Sequence, residues 1–126
     1  MRVIKVLVAL LATVTFFVLL AQTDADYMGW MKAAVASKGK VAKGIAAKDK
    51  GVATDAKVME DSFKGMEDYW TKKGVADATG FAKTARTASA DVAKAVAAGD
   101  FDAANAAMAT VGGTCGGCHK IGRAHV

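Results

Sequence analysis

Residues 100–119 read DFDAANAAMATVGGTCGGCH. Within them Phe101, Ala104, Met108, Val111, Cys115 and Cys118 follow one another at spacings of three, four, three, four and three. That is the period of one face of an α-helix. The seam predicts a helix starting at Asp100 with both cysteines on its inward stripe. His119 lies four residues after Cys115 and so beside it on the same face. Gly112, Gly113, Gly116 and Gly117 crowd the same stretch, and each costs a helix about 1 kcal/mol relative to alanine. Two outcomes are open. A large planar ligand pressed against the backbone would account for small residues in a continuous helix. Otherwise the glycines break the helix near Gly112 and leave a loop.

Cys115-Gly116-Gly117-Cys118-His119 contains the only two cysteines of the chain. The spacing is that of c-type haem attachment. Each thiol can add to a vinyl group of the macrocycle, and the histidine that follows is placed to bind the iron. A covalent haem would carry the redox chemistry, with the protein tuning it. Three other chemistries use the same residue types. A thioredoxin-like pair belongs at the start of a helix after a strand, and no strand pattern is present. A zinc site from Cys115, Cys118, His119 and His125 would strain a tetrahedral shell and lacks the usual finger spacing. A structural disulfide is the third.

Moving towards the N-terminus, Gly99 and Asp100 form a tight joint, glycine ending one helix and aspartate capping the next. The helix before it should span Val75 to Ala98, with Asp77 as its cap and a stripe of Ala78, Phe81, Ala85, Ala88, Val92 and Ala95. Those residues are small, so the partner must be bulky or the helices must sit close. An earlier helix should begin at Thr54 or Asp55, both good N-caps, and stop at Gly74. Its stripe of Met59, Phe63, Met66 and Trp70 is the heaviest in the chain. The first helix should run from Asp24 to Asp49 on Tyr27, Met31, Ala34, Lys38, Val41 and Ile45. Lys38 interrupts that stripe, and Gly39 and Gly44 suggest close approach of a neighbour. Gly51 suits a left-handed helix end. Four amphipathic helices with short connections predict an all-α, antiparallel up-and-down four-helix bundle, with haem near the C-terminal helix.

The chain has 126 residues and no proline, which bounds it to one domain. Arg2 and Lys5 precede an apolar run from Val6 to Leu20, and Ala21 or Ala25 offers a small-residue cleavage site. This reads as a secretory signal peptide over residues 1–25, with the functional domain over 26–126. The alternative is an uncleaved anchor, for which the run is somewhat short. Cleavage after Ala21 would leave 15 basic and 12 acidic side chains. The lysines are scattered, and no dense basic run points to nucleic acid.

With these residues in view, the chain resembles the class II cytochromes c, the group of cytochrome c prime and its low-spin relatives. The likeness is strongest from Val92 to Asp100 and from Val111 through Cys115-Gly116-Gly117-Cys118-His119-Lys120 to Arg123. Trp70 falls where such proteins often carry a tryptophan. The resemblance implies thioether bonds at Cys115 and Cys118, one covalent haem c, and His119 as the proximal iron ligand. It implies Arg123 near the proximal haem face. Met31-Lys32 matches the place where low-spin members carry a distal methionine ligand; in cytochromes c prime an apolar residue leaves the iron five-coordinate. A methionine ligand suits electron transfer, whereas an open position suits binding of NO or CO. Met28, Met59, Met66 and Met108 compete for the role as core filler or ligand. The family usually has an arginine a turn before this methionine; here the place is Tyr27. The resemblance further implies a periplasmic location, redox-protein partners, no turnover of substrate, and a homodimer as one state of assembly.

Overall fold

The computed structural model describes residues 22–124, with side chains described as far as Ile121. The expected signal segment lies almost wholly outside these residues, as does His125. Four helices form: α1 Asp24–Ala46, α2 Ala53–Lys73, α3 Ala76–Ala98 and α4 Phe101–Ala124, with a 3-10 turn at Lys50–Val52 between α1 and α2. Together they make an all-helical bundle. No helix among the described residues is long and apolar enough to cross a membrane.

The helix ends show which local signals act. Thr23 caps α1 in a reciprocal box with Asp26. Asp26 N–H donates to Thr23 Oγ1 at 3.2 Å, and Thr23 N–H donates to the Asp26 carboxylate at 2.8 Å. Such a box satisfies two donors that a helix start leaves unpaired. At the other end α1 stops three residues short of Asp49. The left-handed residue there is Lys48, with φ 56°, rather than Gly51. Asp49 explains the difference: its side chain accepts from Gly51 N–H at 2.8 Å and winds the next residues into the 3-10 turn. That turn feeds directly into α2, so Thr54 and Asp55 fall inside the first turn and neither caps it. Asp77 likewise lies in the first turn of α3 behind Val75, which makes no side-chain cap. Gly74 and Gly99 take φ 70° and 78° and end their helices as glycine should. Asp100 caps α4, accepting from Ala103 N–H at 3.0 Å.

Packing runs mainly between chain neighbours: α1 with α2, α2 with α3, α3 with α4. One core cluster sets Met59, Phe63 and Met66 of α2 against Ala82, Ala85 and Ala88 of α3. The small stripe of α3 thus meets the heavy stripe of α2. A second cluster joins Val41 and Ile45 to Val92, Val96 and Ala104 beyond Val52. Met108 touches both. Gly44 is buried where Val52 crosses it, leaving no room for a Cβ, while nothing lies within 4 Å of a Cβ built on Gly39. The expected close approach therefore occurs at one glycine of the two.

The exception to broad packing is the pair α1 and α4, which touch little. Met31, Cys115, Cys118 and His119, four of the candidate residues named from the sequence, lie at that seam.

Candidate functional site

α4 continues unbroken through all four of its crowded glycines to Ala124, so of the two outcomes left open by the sequence the loop near Gly112 does not occur. Gly117 has a packing reason: the ring of Phe81 from α3 occupies the space its side chain would fill. Gly112, Gly113 and Gly116 have no neighbour within 4 Å of a Cβ position. Because the helix is continuous, Cys115, Cys118 and His119 project together. The inward stripe is finer than the seam predicted. Ala104, Val111 and Thr114 are buried, both cysteines are half-buried, and His119 is exposed. Thr114 has no place in an apolar periodicity. Its hydroxyl donates to Val111 O at 2.7 Å, and that bond lets it be buried.

Cys115, Cys118 and His119 line one pocket between α1 and α4, a cavity of about 40 Å³ that is partly open to solvent. Met31, Ala34, Val35 and Lys38 supply the α1 wall; Phe63 and Met66 of α2 and Phe81, Ala82 and Ala85 of α3 form the floor. Met31 thus shares a pocket with the motif 84 residues before it, across a helix pair that otherwise barely meets. Among its competitors Met66 also reaches the pocket. Met59 is fully buried in the core, Met28 is 52 % exposed, and Met108 packs against the core clusters. The side chain of Arg123 lies outside those described.

Tyr27 sits at one end of this arrangement. Its ring stands 4.7 Å from that of Tyr69 and 5.5 Å from that of Trp70, centre to centre. Burial pushes the Tyr27 phenol above its ordinary value. Burial, and then the neighbouring Cys115, push the Cys118 thiol up as well, while the Tyr27 side chain works in the other direction. Cys118 is therefore held as a thiol at neutral pH. Disulfide oxidoreductases need the opposite, a lowered pKa at a helix N-terminus; this pair lies towards the C-terminal end of α4. Cys115 Sγ donates to Val111 O at 3.3 Å, and the two cysteines are not bonded to each other. Among the described residues no three His, Cys, Asp or Glu side chains gather as a metal-binding group.

Two thiols one helical turn apart, an imidazole beside them, a thioether on the facing helix and apolar walls could hold a planar apolar cofactor attached through sulfur. Lys38 was visible in the sequence only as a cation interrupting an apolar stripe, and Tyr27 as the first member of that stripe and a phenol where the resembled family has an arginine. Comparison of the chain with models of known families, with curated proteins and with solved structures finds no match in any of the three.

Proposed function

We propose that this chain is a periplasmic monohaem c-type cytochrome of the class II kind, an electron carrier that turns over no substrate. The observation that carries the reading is the meeting of Met31 with Cys115, Cys118 and His119 on one apolar pocket. Cys115 and Cys118 would hold the macrocycle through thioether bonds, and His119 would bind the iron from the α4 side. Met31 would bind it from the α1 side, and Arg123 would belong to the surroundings of the haem. Bound there, haem supplies reversible one-electron chemistry at a potential set by its axial ligands. With the group bound, the apolar walls contributed by Phe63, Phe81, Ala82 and Ala85 would limit its contact with water and would favour its less charged state. Redox proteins are the partners, docking where the pocket opens.

An antiparallel up-and-down order of helices belongs to the same proposal. Asp24 bonds to Tyr69, Trp30 packs on Gly65, and Gly44 packs on Val52. Positions that rise along α1 thus fall along α2, which supports opposed directions for that pair.

The walls also support a second reading. If Met31 is only a packing residue, the apolar α1 side leaves a dry open position that takes NO or CO, as in cytochrome c prime. The test is the visible spectrum of the ferrous protein, produced with haem-attachment machinery, before and after carbon monoxide. Resolved low-spin bands that the gas leaves alone are expected. In Met31→Ala the gas should bind and the potential should fall, while Met66→Ala should behave like the parent. A high-spin spectrum in the parent that shifts with the gas selects the second reading. A colourless product rejects both.

A further inference from the structure

Both tyrosines of the chain and one of its two tryptophans gather where the start of α1 meets the end of α2. Tyr27 stands 4.7 Å from Tyr69 and 5.5 Å from Trp70, and Tyr69 and Trp70 meet edge to face at 5.2 Å, all between ring centres. These are separations of rings in direct contact, across which an electron moves far faster than it exchanges between molecules. The cluster has two ends. On the pocket side the Tyr27 phenol lies beside the Cys118 thiol. On the outer side Tyr69, whose ring is buried, donates its phenolic hydrogen to the water-exposed Asp24 carboxylate.

Two features give the cluster a direction. Trp70 Nε1 is buried and has no hydrogen-bond partner among the described residues. An indole that loses an electron there finds no base for its proton, stays a cation and is a strong oxidant. Tyr69 is the reverse case. Lys73 Nζ stands 4.6 Å from its ring centre, and a cation in that place opposes positive charge on the ring. Tyr69 therefore releases an electron together with its proton, for which Asp24 is already the acceptor.

We propose that Trp70, Tyr69 and Asp24 form a radical sink beside the pocket, with Tyr27 seating it against Cys118. The oxidant is a strong one-electron oxidant of the radical class that peroxide chemistry releases. It takes one electron from Trp70 and leaves the indole radical cation. Tyr69 returns that electron, its O–H bond breaks, and the proton passes to the Asp24 carboxylate. The products are a neutral indole, a neutral Tyr69 phenoxyl radical and a protonated Asp24 that exchanges with water. An oxidant arriving near the pocket is thus spent on a phenol at the outer end of the cluster rather than on the sulfur atoms of Cys115, Cys118 and Met31. The sink needs no bound group.

The test is pulse radiolysis of the full chain, made without haem attachment, at neutral pH with the azide radical as oxidant. The indole and phenoxyl radicals absorb at different wavelengths, so the transfer is followed directly. In the parent the indole signal should decay as the phenoxyl signal rises, at a rate independent of protein concentration. Tyr69→Phe and Asp24→Asn should each slow that rise about tenfold, the ratio that about 1.4 kcal/mol of barrier represents. Trp70→Phe, which leaves only Trp30 to be oxidised, should slow it as well, while Tyr27→Phe should keep the parent rate. Circular dichroism checks that each variant is helical; Tyr69→Phe removes a single hydroxyl and keeps the test available if Asp24→Asn does not fold. An indole radical in the parent that decays only by collision between molecules overturns the sink. A parent rate in Tyr69→Phe or Trp70→Phe overturns the assignment of the pair, and a parent rate in Asp24→Asn overturns the proton transfer.

Discussion

Two glycines seven and twelve residues from the Lys32 position illustrate how neighbours decide what a residue is for. A methyl added at Gly44 runs into the side chain of Val52, whereas one added at Gly39 meets open space. Overpacking costs about 1–3 kcal/mol, and replacing an exposed helical glycine by alanine gains up to about 1 kcal/mol. Gly44→Ala should therefore lower the urea midpoint and Gly39→Ala should raise it. Midpoints that rise in both variants would mean Val52 yields freely and the contact is not a constraint. Nothing in the local sequence separates the two glycines, since both interrupt the same helix. Lys38 has the same character: in the sequence it is a flaw in a stripe, and its place on the pocket wall needs α4 opposite.

Among the elements, α1 depends most on its first turn. Thr23 and Asp26 close the capping box, and Asp24 accepts from Tyr69 Oη and lies 3.3 Å from Lys73 Nζ. These residues straddle the two expected signal cleavage positions. A chain beginning at Gln22 keeps the whole arrangement, and one beginning at Asp26 loses Thr23 and Asp24. Loss of an N-cap side chain costs about 1 kcal/mol. The shorter chain should thus melt several degrees lower, and Thr23→Ala in the longer chain should reproduce part of the deficit. Equal melting temperatures would show that the first turn contributes nothing to the fold. The box itself was missed in the sequence because an aspartate stands at the position where glutamate or glutamine is the usual signal.

At the scale of the molecule, the N-terminus of α1 is tied to the C-terminal end of α2 through Asp24, Tyr69 and Lys73. The hydrogen bond from Tyr69, and then Lys73, hold the Asp24 carboxyl below the ordinary 3.8. The Thr23 backbone and side chain do the same for Asp26. A depressed carboxylate pKa gives stability that is complete above the unfolded value and is lost as pH falls through the folded one. Asp24→Asn should therefore be less stable than the parent at neutral pH, and the gap should close in acid well below 3.8. Denaturation curves at the two pH values check this; a gap that persists in acid would assign the effect to packing. The same scale explains the pocket. α1 packs on α2 and α4 packs on α3, but α1 and α4 meet little, and the space left between them collects Met31, Lys38, Cys115, Cys118 and His119.

Apolar periodicity by itself determined four helices and most of their inward residues, because a helix needs only its own chain to set which side chains share a face. Glycine at 74 and 99 and aspartate at 100 likewise marked real boundaries, being local backbone chemistry. The motif Cys115 to His119 was legible for the same reason, as spacing within one helix. Tertiary structure decided the rest. It joined Met31 to that motif across 84 residues, set Met66 beside it, and turned Lys38 from a blemish into part of a wall. It also gave Gly117 to Phe81 and Gly44 to Val52. Each of those facts is a distance between different helices, and no periodicity within one helix contains it.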